Sequence, residues 1–253
     1  MPISKSYNSL VIGSASTGES DLLVTLLCKG KGKIRCIAKG AKKSAKRFMN
    51  ALEPFTHIDA VIRISSRSGL GLLENAEIKE GYEAIRSDYR KFVLANLCIE
   101  LVDLWCREGQ EEDRIYILLL WYLSSLCKGK DSLTSTLVFK TRLLDACGYL
   151  SCLTKCSNCN RPVNGRRIFY NPTNGQTFCQ ECQAIQGSCK ISVATVMSMC
   201  FWQRQPLERI FRLKVNTLVM EEAWTYLKTI HSNILERQPQ TYRLTKHLFG
   251  HAG

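Results

Sequence analysis

Alternating apolar and polar positions mark the beginning of the chain. The stretch from residue 57 to residue 65 alternates strictly, and one of its faces is formed by Ile58, Ala60, Ile62 and Ile64. This two-residue period is typical of a half-buried β-strand. Four other short runs rich in β-formers lie at residues 6–13, 21–28, 34–40 and 71–78. Five short strands within about eighty residues predict a small barrel, and periodicity does not separate an OB-fold from an SH3-like barrel.

After residue 81 the apolar residues follow helical spacing instead. Over residues 88–106 they recur at Phe92, Leu97, Leu101, Leu104 and Trp105. This spacing predicts an amphipathic helix. Capping residues and glycines delimit four more predicted helices, at residues 113–129, 131–148, 192–203 and 217–235. The longest apolar run, residues 115–123, is too short for a membrane span of about 20 residues, so it predicts a core helix.

The segment between the two helical blocks has a different composition. It is rich in Gly, Asn, Pro and Cys and has no clear period, so it needs a stabilising contribution other than a large apolar core. The sequence therefore predicts four parts. They are a barrel domain at residues 1–80, the first part of a helical domain at 81–149, an inserted module at 150–190, and the second part of the helical domain with a C-terminal tail at 191–253.

Two Cys-x-x-Cys pairs lie in this inserted segment. Nineteen residues separate Cys156-x-x-Cys159 from Cys179-x-x-Cys182, and four thiolates on two tight turns match the ligand set of tetrahedral zinc. Four sulfurs complete the coordination shell, whereas a catalytic zinc keeps one position open for water. The pattern predicts one structural Zn²⁺ per chain; buried free thiols and a redox pair are the alternatives.

Nine further cysteines lie outside these pairs. Most of them occupy apolar faces of predicted strands or helices, which favours small core residues, while Cys152 and Cys189 flank the two pairs and are alternative metal ligands. Because the chain has 13 cysteines and its first residues lack the apolar centre of a signal peptide, we expect a reducing cytosol. The nine are Cys28, Cys36, Cys98, Cys106, Cys127, Cys147, Cys152, Cys189 and Cys200.

Positive charge is concentrated in one stretch. The formal net charge is +13, and residues 29–47 contain nine cations and no acidic residue. Such a local excess indicates a polyanionic partner, either nucleic acid or an anionic membrane surface. Because the stretch spans a predicted strand and loop rather than an amphipathic helix, it favours nucleic acid. The candidate binding residues are Lys29, Lys31, Lys33, Arg35, Lys39, Lys42, Lys43, Lys46 and Arg47.

Aromatic residues close to this stretch are candidates for stacking on unpaired bases. They are Tyr7, Phe48 and Phe55, and the barrel core is the alternative place for each. Nothing in the sequence matches a base-reading recognition helix, so we expect weak sequence preference.

The sequence favours a binding protein over an enzyme. Motifs for phosphate loops, zinc proteases, nucleobase deaminases and nucleophile elbows are absent from it. Its four histidines, at positions 57, 231, 247 and 251, have no evident catalytic partner. We therefore expect function through surfaces rather than through covalent chemistry.

Several segments resemble a known family. Residues 17–55, TGESDLLVTLLCKGKGKIRCIAKGAKKSAKRFMNALEPF, are similar to the N-terminal domain of the bacterial DNA repair protein RecO family. The shared features are the Gly-Glu-Ser-Asp turn, the Gly-Lys-Ile hairpin return, the AKGAKKS run and Leu-Glu-Pro-Phe. Residues 73–78 resemble the closing strand of that domain, residues 143–182 the zinc module of the family, and residues 242–248 its tail.

The resemblance implies a fold and a function. The fold is α+β, with an N-terminal OB-fold β-barrel, then an α-helical domain with an inserted four-cysteine zinc module. The function is that of a recombination mediator of the RecF pathway in the bacterial cytoplasm, at the nucleoid. Such a mediator binds single- and double-stranded DNA, anneals complementary strands, and with RecR helps load RecA on strands coated by single-strand binding protein, whose acidic C-terminal tail it binds.

Two other functions remain open from the residues alone. One is an RNA-binding translation or ribosome-associated factor, since barrels and zinc ribbons occur there as well. The other is an adaptor whose basic patch meets an acidic protein tail. A preference for RNA over DNA of the same sequence distinguishes the first, and binding of an acidic partner without nucleic acid distinguishes the second.

Overall fold

The computed structural model of the chain contains two compact units, Met1–Cys127 and Lys128–Gly253. The structure describes residues 4–44, 46–64, 69–150, 153–163, 167–182, 189–235 and 237–248. Each unit has its own elements and its own core.

A closed five-stranded barrel forms most of the first unit. Its strands are β1 (Ser4–Thr17), β2 (Asp21–Cys28), β3 (Gly32–Ala38), β4 (His57–Ile64) and β5 (Gly71–Glu80). Neighbours follow the order β1-β2-β3-β5-β4, and β4 pairs back with β1. All pairings are antiparallel except the short parallel ladder between β3 and β5. The predicted OB-fold barrel is thereby confirmed, and its first strand is longer than the pattern indicated.

The barrel interior is filled by inward-facing apolar side chains. On β2, Val24, Leu26 and Cys28 point inward and are buried, in keeping with the two-residue period of a strand. Phe48 and Leu52, from the segment between β3 and β4, close one end of the interior. Two of the proposed stacking residues are therefore core residues: Phe48 is 4% and Phe55 is 1% exposed. Tyr7 is partly buried against the same core.

Three helices complete the first unit: α1 (Glu83–Arg86), α2 (Tyr89–Trp105) and α3 (Asp113–Cys127). Helix α2 begins where the sequence predicts, because the Asp88 carboxylate accepts a hydrogen bond from the Lys91 amide at 3.1 Å. Helix α3 contains the long apolar run, and most of that run is buried. No helix in the described part of the chain is long and apolar enough to cross a membrane.

The second unit is built on α4 (Ser132–Ala146), α5 (Val193–Arg204) and α6 (Thr217–Ile234). Their N-caps are the side chains of Asp131, Ser192 and Asn216, so the capping signals place the starts of the predicted helices correctly. Two 3-10 helices, Leu207–Arg212 and Gln240–His247, are additional to the predicted elements. The three α-helices pack against one another around side chains such as the fully buried Trp202.

The inserted segment forms a small sheet between α4 and α5. Strands β6 (Arg167–Tyr170), β7 (Thr177–Phe178) and β8 (Cys189–Ser192) pair antiparallel in the order β7-β6-β8. The sequence did not predict these strands, because two to four residues are too few to show a period.

Candidate nucleic-acid interface and metal centre

The nine candidate cations fall into two groups in the structure. The hairpin group is Lys29, Lys31, Lys33 and Arg35, on the β2–β3 hairpin. The loop group is Lys39, Lys42, Lys43, Lys46 and Arg47, on the chain that leaves β3. The two groups differ in the partners of their side chains.

Two members of the hairpin group are engaged in ion pairs with the helical part of the first unit. Lys33 Nζ lies 3.0 Å from Asp103 Oδ1 and also donates to the Asp103 carbonyl oxygen at 2.5 Å. Arg35 Nε lies 2.5 Å from Glu108 Oε1. These ion pairs neutralise part of the positive charge of residues 29–47. The charge looks unbalanced in the sequence because both acids lie far along the chain from this stretch.

The tip of the hairpin is held in place by backbone contacts as well. The Gly30 amide donates to Asp113 Oδ1 at 2.6 Å. Gly32 has a φ of 72°, and a Cβ there would lie 1.7 Å from the Gln110 carbonyl oxygen, so only glycine fits. Lys29 is exposed and Lys31 is half-buried on this anchored tip. The hairpin therefore has a structural role, and Lys29 and Lys31 are its members without an ion pair among the described residues.

The loop group, by contrast, is displayed to solvent. All five side chains are exposed, and within the described residues none lies in an ion pair with a carboxylate. They follow the end of β3 and a single 3-10 turn, Ala41–Lys43. On the β4–β5 side of the barrel, in comparison, Arg63 pairs with Glu74 and Lys79 with Asp59. Arg63 and Lys79 are thus neutralised by carboxylates, whereas the cations of the loop group are not.

Asp21 fixes the course of this loop. Gly40, in the left-handed conformation at φ 64°, donates its amide to Asp21 Oδ1 at 2.8 Å. This hydrogen bond, followed by one from the Ser20 hydroxyl, lowers the pKa of the Asp21 carboxyl. Lys42 adds a bond from its amide to the Ser20 carbonyl at 3.0 Å. Asp21 is not among the predicted site residues, although it is the second acid of the Gly-Glu-Ser-Asp turn.

Arg47 closes the loop on its other side. Its Nη2 donates to the Lys39 carbonyl oxygen at 2.9 Å, and its guanidinium carbon lies 4.9 Å from the centre of the Phe48 ring. Its carbonyl oxygen accepts from the Ala76 amide of β5 at 3.1 Å. Arg47 therefore has a positioning role in addition to its charge, and so has Lys42, whose Nζ donates to the Gly18 carbonyl oxygen at 3.0 Å.

The four cysteines of the two pairs come together as predicted. The sulfurs of Cys156, Cys159, Cys179 and Cys182 all lie within 4.8 Å of one another. Cys159 and Cys179, from different pairs, have their sulfurs 3.8 Å apart. Tetrahedral zinc with Zn–S bonds of about 2.3 Å places its sulfurs ~3.8 Å apart, so the donor set fits the ion in type and spacing.

The surroundings shift the pKa values of two of these thiols in opposite directions. Burial acts to raise the pKa of the Cys156 thiol, but amides of Cys159, Cys179 and Asn158 point at its sulfur and lower that pKa to about 6. At Cys182, a hydrogen bond from Asn158 lowers the pKa, but the interaction with Cys179 and burial outweigh it and raise the pKa to about 11. The backbone amides therefore favour the thiolate at Cys156, whereas the neighbouring thiols and burial disfavour it at Cys182.

Short backbone bonds shape the two knuckles. Asn160, with φ of 59°, turns the first knuckle so that its amide donates to the Cys156 carbonyl at 2.8 Å. Phe169 and Phe178 pack against the sulfurs. The flanking Cys189 is exposed and is not part of the cluster, and Cys152 lies outside the described residues. Of the other cysteines, those that are fully buried, as expected for core residues, are Cys28, Cys36, Cys98, Cys106 and Cys200.

The barrel and the cysteine module also match sequence families. Residues 1–82 match the family described as Recombination protein O N terminal, and residues 86–243 match Recombination protein O C terminal. The chain belongs to the RecO family. The two RecO matches together span most of the chain, which confirms the resemblance drawn from residues 17–55.

Curated RecO proteins are similar along the same length. The DNA repair protein RecO of Geobacter metallireducens is 33% identical over 192 residues, which are 76% of this chain and 78% of that protein. The RecO of Syntrophus aciditrophicus is 28% identical over 238 residues, 92% of each chain. That of Desulfatibacillum aliphaticivorans is 28% identical over 251 residues, 95% of this chain and 96% of the relative. The chain is thus a DNA repair protein of the RecO family.

Proposed function

We propose that this RecO protein is a recombination mediator that binds single- and double-stranded DNA through its barrel and anneals complementary strands. The observation that supports this best is the loop group, five exposed cations that follow strand β3 of an OB-fold barrel and lack carboxylate partners among the described residues. Cations that neutralise phosphates release condensed counterions, and this release supplies affinity that is independent of sequence. Lys29 and Lys31 extend the surface, whereas Lys33 and Arg35 support it from their ion pairs.

Annealing by this surface needs no covalent chemistry. Two complementary strands repel each other through their phosphates, and a protein surface that neutralises the backbones lowers this repulsion while the bases stay accessible. The proposed activity is therefore non-enzymatic. Its partners in the proposal are those that the family resemblance implies: RecR, the C-terminal tail of single-strand binding protein, and RecA as the loaded recombinase, at the nucleoid in the bacterial cytoplasm.

We further propose that the four-cysteine cluster holds one structural Zn²⁺. Cys156, Cys159, Cys179 and Cys182 are the ligands, and the ion supplies stability to the module at residues 150–190 rather than a reactive water. In this proposal, residues 1–80 form the DNA-binding domain. Residues 81–149 and 191–253 form the helical domain. Metal analysis of protein purified without chelators tests the ion: we expect about one equivalent, and less than about half an equivalent rejects the site.

The salt dependence of DNA binding tests the loop group. We measure the affinity for a labelled single-stranded oligonucleotide at several salt concentrations by gel shift. If the five cations of the loop group each contact a phosphate, the slope of log affinity against log salt is about −3.5, since each contact on a single strand contributes about −0.7. A flat response contradicts the proposal.

Two matched triple variants locate the surface. Lys39, Lys43 and Lys46 make no side-chain hydrogen bond to another described residue, so Lys39→Glu/Lys43→Glu/Lys46→Glu leaves the fold intact. We expect its affinity to fall on the order of tenfold for all sequences alike, and its salt slope to become shallower by about 2. The control, Lys5→Glu/Arg90→Glu/Arg114→Glu, makes the same charge change at exposed positions outside the loop group. Equal losses in both variants would show that net charge alone sets the affinity.

Competition with RNA separates this function from that of a translation factor. An unlabelled RNA oligonucleotide of the same sequence is added to the labelled DNA complex. We expect RNA to compete no better than DNA, because phosphate contacts do not distinguish the two sugars. A clear preference for RNA would indicate contacts to the 2′-hydroxyl and would replace the proposal by an RNA-binding function.

A further inference from the structure

A groove lies between helix α5 and the 3-10 helix Leu207–Arg212 in the second unit. One end is a cavity of about 390 Å³ whose apolar walls include Met197, Phe201 and Leu213. A second cavity of about 260 Å³ adjoins it, because Phe201, Gln205 and Leu213 line both. Together they form one surface, here named the α5 groove.

Three exposed arginines edge the α5 groove. Arg204 lines its apolar end, and Arg209 and Arg212 line the other. Residues three apart in a 3-10 helix lie on the same edge, about 6 Å apart along the axis, so these two guanidinium groups form a row. Within the described residues, none of the three arginines is in an ion pair with a carboxylate. The edge is therefore a site for an anion with more than one charge.

The backbone beside the α5 groove is held by hydrogen bonds from helix α4. Arg142 of α4 donates from Nε to the Trp202 carbonyl oxygen at 2.8 Å and from Nη2 to the Gln205 carbonyl oxygen. Trp202 on one wall and Ile210 on the other are fully buried. A groove that is fixed before its ligand arrives loses little ordering entropy on binding.

We propose that the α5 groove is a second binding site for single-stranded DNA. One base occupies the apolar end against Phe201, and the flanking phosphates bind Arg204, Arg209 and Arg212. Guanidinium groups match phosphate oxygens in a two-pronged geometry, and stacking of a base on an aromatic ring accepts any sequence. This inference rests on the proposed function, since it takes DNA as the ligand.

An acidic peptide is the other ligand of matching charge. Three arginines are more cations than one or two carboxylates require, and Lys214, the residue after the lining Leu213, is also exposed. Glu208 is the only acid among residues 193–216. A strand of nucleic acid repeats a phosphate and a base at each step. A row of cations beside an aromatic side chain matches this repeat, and this favours DNA over a peptide.

A second site gives annealing a physical basis within one chain. The loop group belongs to the first unit and the α5 groove to the second. Two strands bound to the same chain are tethered to each other through it, so their pairing becomes intramolecular.

The test counts strands bound per chain. A fluorescein-labelled oligothymidylate of ten nucleotides is titrated into the full-length protein at stoichiometric concentrations. We expect two oligonucleotides per wild-type chain and one per chain of Arg209→Glu/Arg212→Glu, whose annealing rate falls on the order of tenfold. The matched control is Arg243→Glu/Lys246→Glu, which reverses two exposed cations three residues apart on the 3-10 helix Gln240–His247 and keeps both sites. Circular dichroism verifies that each variant is folded.

The possible outcomes separate this inference from the proposed function. One oligonucleotide per wild-type chain, or two on Arg209→Glu/Arg212→Glu, overturns the second site and leaves the DNA-binding barrel standing. No binding by the wild type overturns the proposed function as well. If the arginine variant keeps two oligonucleotides but loses a labelled acidic peptide containing one phenylalanine, the α5 groove is a peptide site and the inference is wrong.

Discussion

The barrel and the cysteine module are both small β structures, but different interactions hold them together. Among the residues that the structure describes, the barrel core contains fifteen buried ones from all five strands and the segment before β4. The hydrophobic cluster around the sulfurs of the module consists of Cys156, Phe169 and Phe178, with the other three cysteines partly buried against it. Burial of apolar area grows with the number of side chains that share a core, so packing contributes more to the barrel, and we expect the module to depend on its proposed zinc ligands.

This difference also explains how each region is specified. A packed core tolerates the exchange of one apolar residue for another if volume and pattern are kept. A metal centre tolerates no loss of a ligand, because each thiolate has no substitute of the same geometry. The barrel is therefore encoded by a period spread over many positions, and the module by four positions at fixed spacing.

The largest expected effect is the loss of the module on removal of a metal ligand. Cys159→Ser leaves three thiolates, and the binding free energy that stabilises such modules is on the order of 10 kcal/mol. We expect less than about half an equivalent of zinc and fast amide exchange over residues 153–182, with the barrel amides still protected. Hydrogen exchange with mass spectrometry measures both regions at once.

Cys189→Ser is the matched control for this change, because Cys189 lies beside the module, is exposed and is outside the sulfur cluster. It should retain one equivalent of zinc and the exchange pattern of the wild type. A Cys159→Ser protein with unchanged module protection would mean that packing alone stabilises the module, and the comparison with the barrel would fail.

A core truncation in the barrel has the next largest effect. Leu26 is fully buried on the inner face of β2, so Leu26→Ala removes packing and leaves a cavity, at a cost of about 2–5 kcal/mol of unfolding free energy. Leu23→Ala, on the half-buried outer face of the same strand, should cost less than half as much. Urea unfolding measures the two, and zinc content should stay at one equivalent in both. Equal costs would contradict the inward and outward assignment along β2.

The smallest expected effect is a pH dependence in the helices that surround the module. His231 of α6 is fully buried, and its Nε2 donates to the Lys140 carbonyl oxygen at 3.3 Å. Burial, and then the charge of Lys140, keep the pKa of His231 well below its usual 6.5. Below pH 6.5 the unfolded chain binds a proton that the folded chain does not, so the stability of the second unit falls by about 1.4 kcal/mol per pH unit.

His231→Gln isolates this contribution, since the amide still donates to the carbonyl but does not titrate in this range. Thermal melts between pH 7.5 and pH 5 compare the two proteins. Below pH 6.5 we expect the melting temperature of the wild type to fall more steeply than that of His231→Gln. Loss of zinc at low pH affects both proteins alike. Parallel melting curves at all pH values would show that His231 titrates normally in the folded state.

Much of the fold could be predicted from local patterns. Strand β4 follows from a period-two run and the other four barrel strands from short runs rich in β-formers. The starts of α2, α4 and α6 follow from Asp88, Asp131 and Asn216 as caps. The strands of the module could not be predicted, because β7 has two residues and β6 and β8 have four each. The 3-10 helices were also missed, since they follow Pro206 and Pro239, which read as helix ends.

The candidate site was predicted unevenly, and for a physical reason. The sulfur cluster is local in sequence, as each pair lies on one turn, and the four cysteines came together as expected. The sequence of the basic stretch, however, does not divide its nine cations into groups. Its division into two groups depends on Asp103 and Glu108, which are about seventy residues away in sequence, and no pattern within residues 29–47 indicates them.

The sequence by itself determined the period of each strand and helix, the turns and caps between them, and the four thiols of the metal centre, because these depend on neighbours along the chain. The tertiary structure alone decided which cations are neutralised by distant carboxylates, which aromatic rings are buried, and where three arginines from two consecutive helices edge one groove. Charge pairing and burial act through space, between residues whose proximity exists only after the chain has folded.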